Sequence, residues 1–170
     1  MDRHSSREFS PKQLTPELLS NLLWAAFGIN RPETGGRTAP SAHDWEEIDV
    51  YVATADGLYL YDARNHALKR VLAQDIRAHT GLQPYVANAP VNLVYVADLS
   101  RMATATVEEK AQYSGPDASF IAQNVYLFCA SEGLATVVRG LVERPALAKL
   151  MQLTPDQRII LAQSVGHIAA

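Results

Sequence analysis

The chain has 170 residues, 48% hydrophobic and 19% charged, with a formal net charge of −3. That balance fits one globular domain, residues 1–170, with a sizeable core, and its slight acidity argues against nucleic-acid binding, which leaves a basic footprint. The single cysteine, Cys129, excludes an internal disulfide, and no run of about 18 uncharged apolar residues is present to span a membrane.

In chain order, RHSSREFS (3–10) comes first, with two arginines and two serines ahead of Phe9. Such a cluster is either a solvated arm or a holder for something anionic. Thr15-Pro16-Glu17 is a helix start, with a hydroxyl N-cap, proline at the first position and an acid facing the dipole. Leu18, Leu19, Leu22, Leu23 and Ala26 keep helical spacing as far as Gly28. Residues 29–44, with two glycines and two prolines, read as a long irregular loop.

EIDVYVAT (47–54) alternates as a strand, Asp56-Gly57 turns a hairpin and LYLYD (58–62) returns. Residues 72–80 read as a short helix, and APVNLVYVAD (89–98) as a central strand apolar on both faces. A long helix is expected from Asp117 to Glu132, stopped by Gly133 and apolar around most of its circumference, as for a helix buried on all sides. Arg144-Pro145 opens a short helix, and RIILAQSVG (158–166) is the closing strand. The order predicts an α+β layout with an antiparallel hairpin rather than a doubly wound sheet.

Much chemistry is missing. The histidines at 4, 43, 66, 79 and 167 never fall at metal-ligand spacing with one another or with Cys129. There is no nucleophile elbow, and Gly35-Gly36 lacks the lysine and spacing of a phosphate loop. The acid pairs Glu46-Glu47 and Glu108-Glu109 read as solvated surface, and Cys129, within VYLFCAS, as a buried small hydrophobe. With no catalytic side-chain constellation, an enzyme built on this chain has its chemistry carried by a cofactor. The polar first ten residues show no signal peptide, which suggests a cytoplasmic protein, although a processed exported form would look the same.

Three stretches carry a family resemblance. RHSSREF resembles the arginine-serine opening of the FMN-dependent nitroreductase family, TAPSAHDWEEIDVYV its loop-then-strand segment, and CASEGLATVVRG the end of its long central helix with the turn that follows. LAQSVGH is similar to the family's closing strand. The resemblance spans the chain from Arg3 to His167 and implies a nitroreductase-like α+β fold, a mainly antiparallel sheet flanked by helices. It also implies a homodimer, with the long helix at the interface and flavin sites between subunits.

On this resemblance Arg3, His4 and Ser5 would hold the FMN phosphate and ribityl chain, with Arg7 at the polar edge of the ring system; forked guanidinium donors and hydroxyls suit a dianion. Pro40, Ser41, Ala42 and Asp44 would cover the flavin from the partner subunit. Backbone N–H groups of Arg139 and Gly140 would face N5 and O4, and Gln83 would meet the pyrimidine edge. Asp44 and Glu46 stand where the family has asparagine and glutamine. A carboxylate there repels phosphate unless Arg3, Arg7 or Arg37 pairs with it, and Arg37 is a candidate for additional positive charge. Trp45, beside this loop, is a candidate to shape the substrate face.

The implied activity is NAD(P)H-driven two-electron reduction of nitroaromatic, quinone or similar electron-poor acceptors, by ping-pong hydride transfer through flavin N5. A dedicated flavin dehydrogenase of the same fold, acting on an azoline ring, and a non-catalytic flavin-binding relative are the alternatives.

Overall fold

A computed structural model of the protein describes residues 2–169. Helix α1 (Pro16–Phe27) starts as its sequence dictates, the Thr15 hydroxyl accepting from the Leu18 N–H at 3.2 Å, and it ends at Gly28. The long loop contains a small ladder, β1 (Ile29–Arg31) with β2 (Gly36–Arg37), and one 3-10 turn at Ala42–Asp44.

The main sheet has six strands. β3 (Ile48–Thr54), β4 (Gly57–Asp62) and β5 (Ala67–Leu72) form an antiparallel meander, followed by β6 (Val91–Asp98). Helix α2 (Val107–Glu132) then leads through Gly133 into β7 (Leu134–Arg139), α3 (Arg144–Leu150) and β8 (Gln157–His167). The order across the sheet is β5-β4-β3-β6-β8-β7, every neighbouring pair antiparallel. This is the expected α+β architecture.

Both faces of the sheet are covered, which explains why β6 is apolar almost without interruption. One face packs Val50, Val52, Leu93 and Tyr95 under Leu22, Phe27, Ile121 and Val125 of α1 and α2. The other packs Tyr51, Val94, Val96 and Ile159 against Leu147 and Met151 at α3.

Three sequence expectations change. The helix expected over 72–80 is instead the end of β5, a bend, and a single 3-10 turn at Arg77–His79. Asp75 accepts from the Arg77 N–H at 3.0 Å, a side-chain turn that competes with a helix there, and Lys69 and Arg70 of β5 give the sheet a charged edge. Helix α2 begins ten residues before Asp117, because a capping box (Thr106 with Glu109, 3.1 and 2.7 Å) starts it and the fold carries it through Pro116. Nor is α2 buried on all sides by its own chain: Phe120 remains 47% exposed. Gly133 ends the helix with φ 67°, a left-handed cap suited to glycine, and its N–H donates to the Cys129 carbonyl.

Leu93, fully buried at the centre of β6, sets the stability test of this arrangement. Leu93→Ala is expected to cost about 2–5 kcal/mol. Leu68→Ala, on the exposed edge strand, is expected to cost under about 0.5 kcal/mol. Denaturant midpoints check both.

Candidate functional site

The N-terminal segment forms a strap along the edge strand β7. The Ser6 N–H donates to the Thr136 carbonyl and the Ser10 N–H to the His167 carbonyl, each at 2.9 Å, while Phe9 is buried and bridges Ile168. Tyr126 of α2 pins the strap. Its hydroxyl accepts from the Val138 N–H at 3.0 Å and shares a 2.7 Å hydrogen bond with Ser5 Oγ. The Arg3 guanidinium lies 5.0 Å from the centre of the Tyr126 ring, a cation–π contact. His4 bonds the Asp2 carbonyl through Nδ1 at 2.6 Å, and Arg3, His4, Ser5 and Arg7 all remain exposed. The sequence reading missed Tyr126. Its only signal is a phenol within an apolar helical run, where a buried hydroxyl needs a partner.

The strap's contacts also determine how β7 faces. Because the Thr136 carbonyl and the Val138 N–H point to the strap and to Tyr126, alternation turns the backbone groups of Ala135, Val137 and Arg139 toward β8, with Arg139 opposite Ala162. The expected Arg139 N–H contact with a ligand is therefore displaced: that group belongs to the ladder, and the Arg139 side chain is buried. Gly140, just past the strand, is exposed, with open space around it. Gln83 is brought close, since the Leu82 N–H donates to the Leu141 carbonyl at 3.3 Å. Its Oε1 is buried with no hydrogen-bond partner.

The second group sits elsewhere. Loop 40–46 is held to the N-terminal half of α2 by Asp117, whose Oδ2 accepts from the Ala42 N–H at 2.9 Å and from Ser41 Oγ at 3.4 Å. Ser41 Oγ also donates to Glu47 Oε2 at 3.3 Å and accepts from the Glu46 N–H at 2.8 Å. His43, Asp44 and Glu46 all have positive φ, between 46° and 53°. Such strain is held only where surrounding contacts over-determine it, and it clusters at functional sites. Pro40 and Asp44 are exposed at the tip, and Trp45 stacks on His43 with ring centres 4.5 Å apart.

Two expectations fail here. Glu47 is not solvated surface but fully buried, with Oε1 unpartnered. Burial pushes its carboxyl above the usual range; its own backbone N–H partly offsets this and the Asp117 charge adds to it. Arg37 is not a spare cation: it donates to Glu46 at 2.9 Å and to the Phe27 carbonyl at 3.1 Å, over the Phe27 ring. The cleft of about 500 Å³ beside this loop, lined by Arg37, Asp44, Trp45, Glu46, Lys69 and Arg101 among others, is likewise mostly paired charge. Cys129 is buried and its thiol is pushed up to about 12 by that burial, so it is inert. Among the described residues no group of three His, Cys, Asp or Glu side chains could hold a metal, and no helix is long and apolar enough to cross a membrane.

The two groups do not meet within one chain. Asp117 and Tyr126 lie about 13 Å apart along α2 and roughly 180° apart around it, so loop and strap dock on opposite flanks of the helix.

Residues 1–167 match the profile of the nitroreductase family. The chain is 32% identical over 148 residues to a candidate nitroreductase from Methanocaldococcus jannaschii, covering 81% of this chain and 74% of that protein. Among solved structures it is similar to a candidate nitroreductase from Ralstonia eutropha JMP134, with TM-score 0.95 and 46% identity over 99% of this chain and 80% of that one. At 22% identity and TM-score 0.72, the NADPH:FMN oxidoreductase from Vibrio harveyi shares the fold over 98% of this chain and 66% of its own. So does a chain of the Escherichia coli microcin synthetase complex, at 19% identity and TM-score 0.88, over 100% of this chain and 71% of that one.

The buried Glu47 carboxyl makes stability depend on pH in a defined sense. Its raised folded-state pKa means that its contribution is fully present below the unfolded value of about 4.3 and is lost as pH rises through the folded value. Glu47→Gln is expected to flatten that decline, as urea midpoints measured from pH 4 to pH 8 would show.

Proposed function

The chain belongs to the nitroreductase family, a family of oxidoreductases, and on that basis we propose that it is an FMN-dependent enzyme using NAD(P)H to reduce nitroaromatic, quinone or similar electron-poor acceptors. The observation that carries the reading is the pinned strap: two exposed arginines, an imidazole and a hydroxyl held by β7 and by Tyr126, which is bonded to the Val138 N–H two residues before Gly140.

These residues fit the cofactor. Arg3, Arg7, His4 and Ser5 offer donors for a phosphate dianion. The unpartnered, buried Gln83 Oε1 wants an N–H donor, and a flavin's pyrimidine ring carries one. Gly140 offers an approach free of side chains. FMN held there by Arg3, His4, Ser5, Arg7 and Gln83 would supply two-electron hydride chemistry between a nicotinamide and an acceptor. The protein's part would be to bind and orient that group, since the described residues that form the Gln83–Gly140 corner include no acid or base.

The site is proposed to form between two copies of the chain. Loop 40–46, with Pro40, Ser41, Ala42 and Asp44, is held away from its own strap by α2, and Phe120 on that helix is left open. A two-fold partner would cover Phe120 and bring each loop to the other copy's strap.

A visible spectrum tests the reading. Protein mixed with FMN is expected to show perturbed twin flavin bands that bleach with NADH or NADPH and return in air. Bands that neither nucleotide bleaches would favour a dedicated dehydrogenase, and a spectrum identical to free FMN would favour a non-catalytic relative. Arg3→Ala is expected to weaken FMN binding about tenfold by removing one charge-assisted contact, and Tyr126→Phe to weaken it by loosening Ser5; quenching of FMN fluorescence measures both.

A further inference from the structure

Arg139 is buried with no acid to match it. The residue is 3% exposed. Its Nε donates to Ser164 Oγ at 3.1 Å, Nη1 to the Thr80 carbonyl at 2.6 Å, and Nη2 to Asn92 Oδ1 at 2.9 Å and Thr80 Oγ1 at 3.3 Å. All four acceptors are neutral, and none of the ion pairs among the described residues includes it. Burial lowers its pKa only to about 10, so it is charged at neutral pH.

A buried cation satisfied only by dipoles is costly, and a carboxylate in hydrogen-bonding distance would offset much of that cost. Asn92 could be that carboxylate and is an amide. Next to this charge lies the unpartnered Gln83 Oε1. Gly81 is wedged against both: a Cβ there would stand 2.0 Å from Arg139 Nη1 and 2.9 Å from Gln83 Oε1. A charge without a counter-ion and an acceptor without a donor thus share one corner, flanked by the exposed Leu82 and Leu141.

We infer that Arg139 is the tuning charge of the site: it is left uncompensated so that its field favours the negatively charged, reduced state of a flavin whose ring N–H is held by Gln83. The inference rests on the FMN reading above. Uptake of two electrons and one proton leaves one negative charge on the ring system. A guanidinium in a poorly screened interior lowers the energy of that state relative to the oxidised one. Arg139 does not touch the reacting atoms in this role; it acts through its field.

The test separates charge from shape. FMN-loaded protein equilibrated with a two-electron reference dye reports the fraction of bound FMN reduced. Arg139→Gln is expected to shift that equilibrium about tenfold toward oxidised FMN. Arg139→Lys, which keeps the charge but loses the fork of donors, is expected to stay within about twofold of the unaltered protein. Asn92→Asp retains Arg139 and places a carboxylate beside it, at the loss of an amide donor to the Val86 carbonyl; it is expected to shift the equilibrium as Arg139→Gln does.

If Arg139→Lys behaves like Arg139→Gln and Asn92→Asp changes nothing, Arg139 is a packing residue and the inference is wrong. If Arg139→Gln fails to fold, the Lys and Asp variants decide alone. An unaltered protein that takes up no FMN overturns the FMN reading itself, and this inference with it.

Discussion

Nine residues of α-helix turn through two and a half turns, and that places Asp117 and Tyr126 on opposite flanks of α2. The arrangement around the helix depends on it. Tyr126 reaches one way to order the cationic strap against β7, and Asp117 reaches the other to clasp a strained loop through Ser41 and Ala42. A rigid helix of 26 residues cannot let these two groups approach each other in one chain. It can serve two sites at once when a second copy packs against its open side, where Phe120 lies.

Buried charge stands out at two places, beside the loop at Glu47 and Asp117 and at the corner of β7 at Arg139. At the loop, Glu47 and Asp117 share the Ser41 hydroxyl, and burial, with the Asp117 charge adding to it, pushes the Glu47 carboxyl above its usual range. At the corner of β7 the reverse holds, with one guanidinium and no anion. Each arrangement costs stability that a hydrophobic replacement would avoid. A buried Tyr95–Gln163–Thr136–Ser164–Asn92 chain runs between β6, β7 and β8 and ends on Arg139, so the charge sits on a stiff, satisfied network.

Elements specified by local chemistry were legible in the sequence. Thr15-Pro16-Glu17, the hairpin around Asp56-Gly57 and the apolar run of β6 each carry their own signal. Elements specified by their neighbours were not. Ala67–Leu72 becomes a strand only because β4 offers an edge, and Pro116 hid the first ten residues of α2 although the capping box at Thr106 was there to be read. In the site, the family resemblance pointed to the strap and the loop, but not to the buried partners that hold them. Tyr126 owes its role to a contact far along the chain and Glu47 to the fold of loop 40–46, and the placement of the Arg139 N–H in the ladder follows from which edge of β7 the strap covers. Pairwise spacing in a sequence does not encode such contacts.

The central claim is that each site draws its strap from one copy of the chain and its loop from the other. Mixed dimers test it most directly. A chain altered in the strap (Arg3→Ala with Arg7→Ala) is co-expressed with a differently tagged chain altered in the loop clasp (Ser41→Ala with Asp117→Asn), and the doubly tagged dimers are assayed for bound FMN. A site shared between subunits predicts one intact site per mixed dimer, and so half the FMN of the unaltered protein, while neither altered homodimer retains any. Mixed dimers as empty as both homodimers would mean that strap and loop serve the same site within one chain, contradicting the geometry of α2.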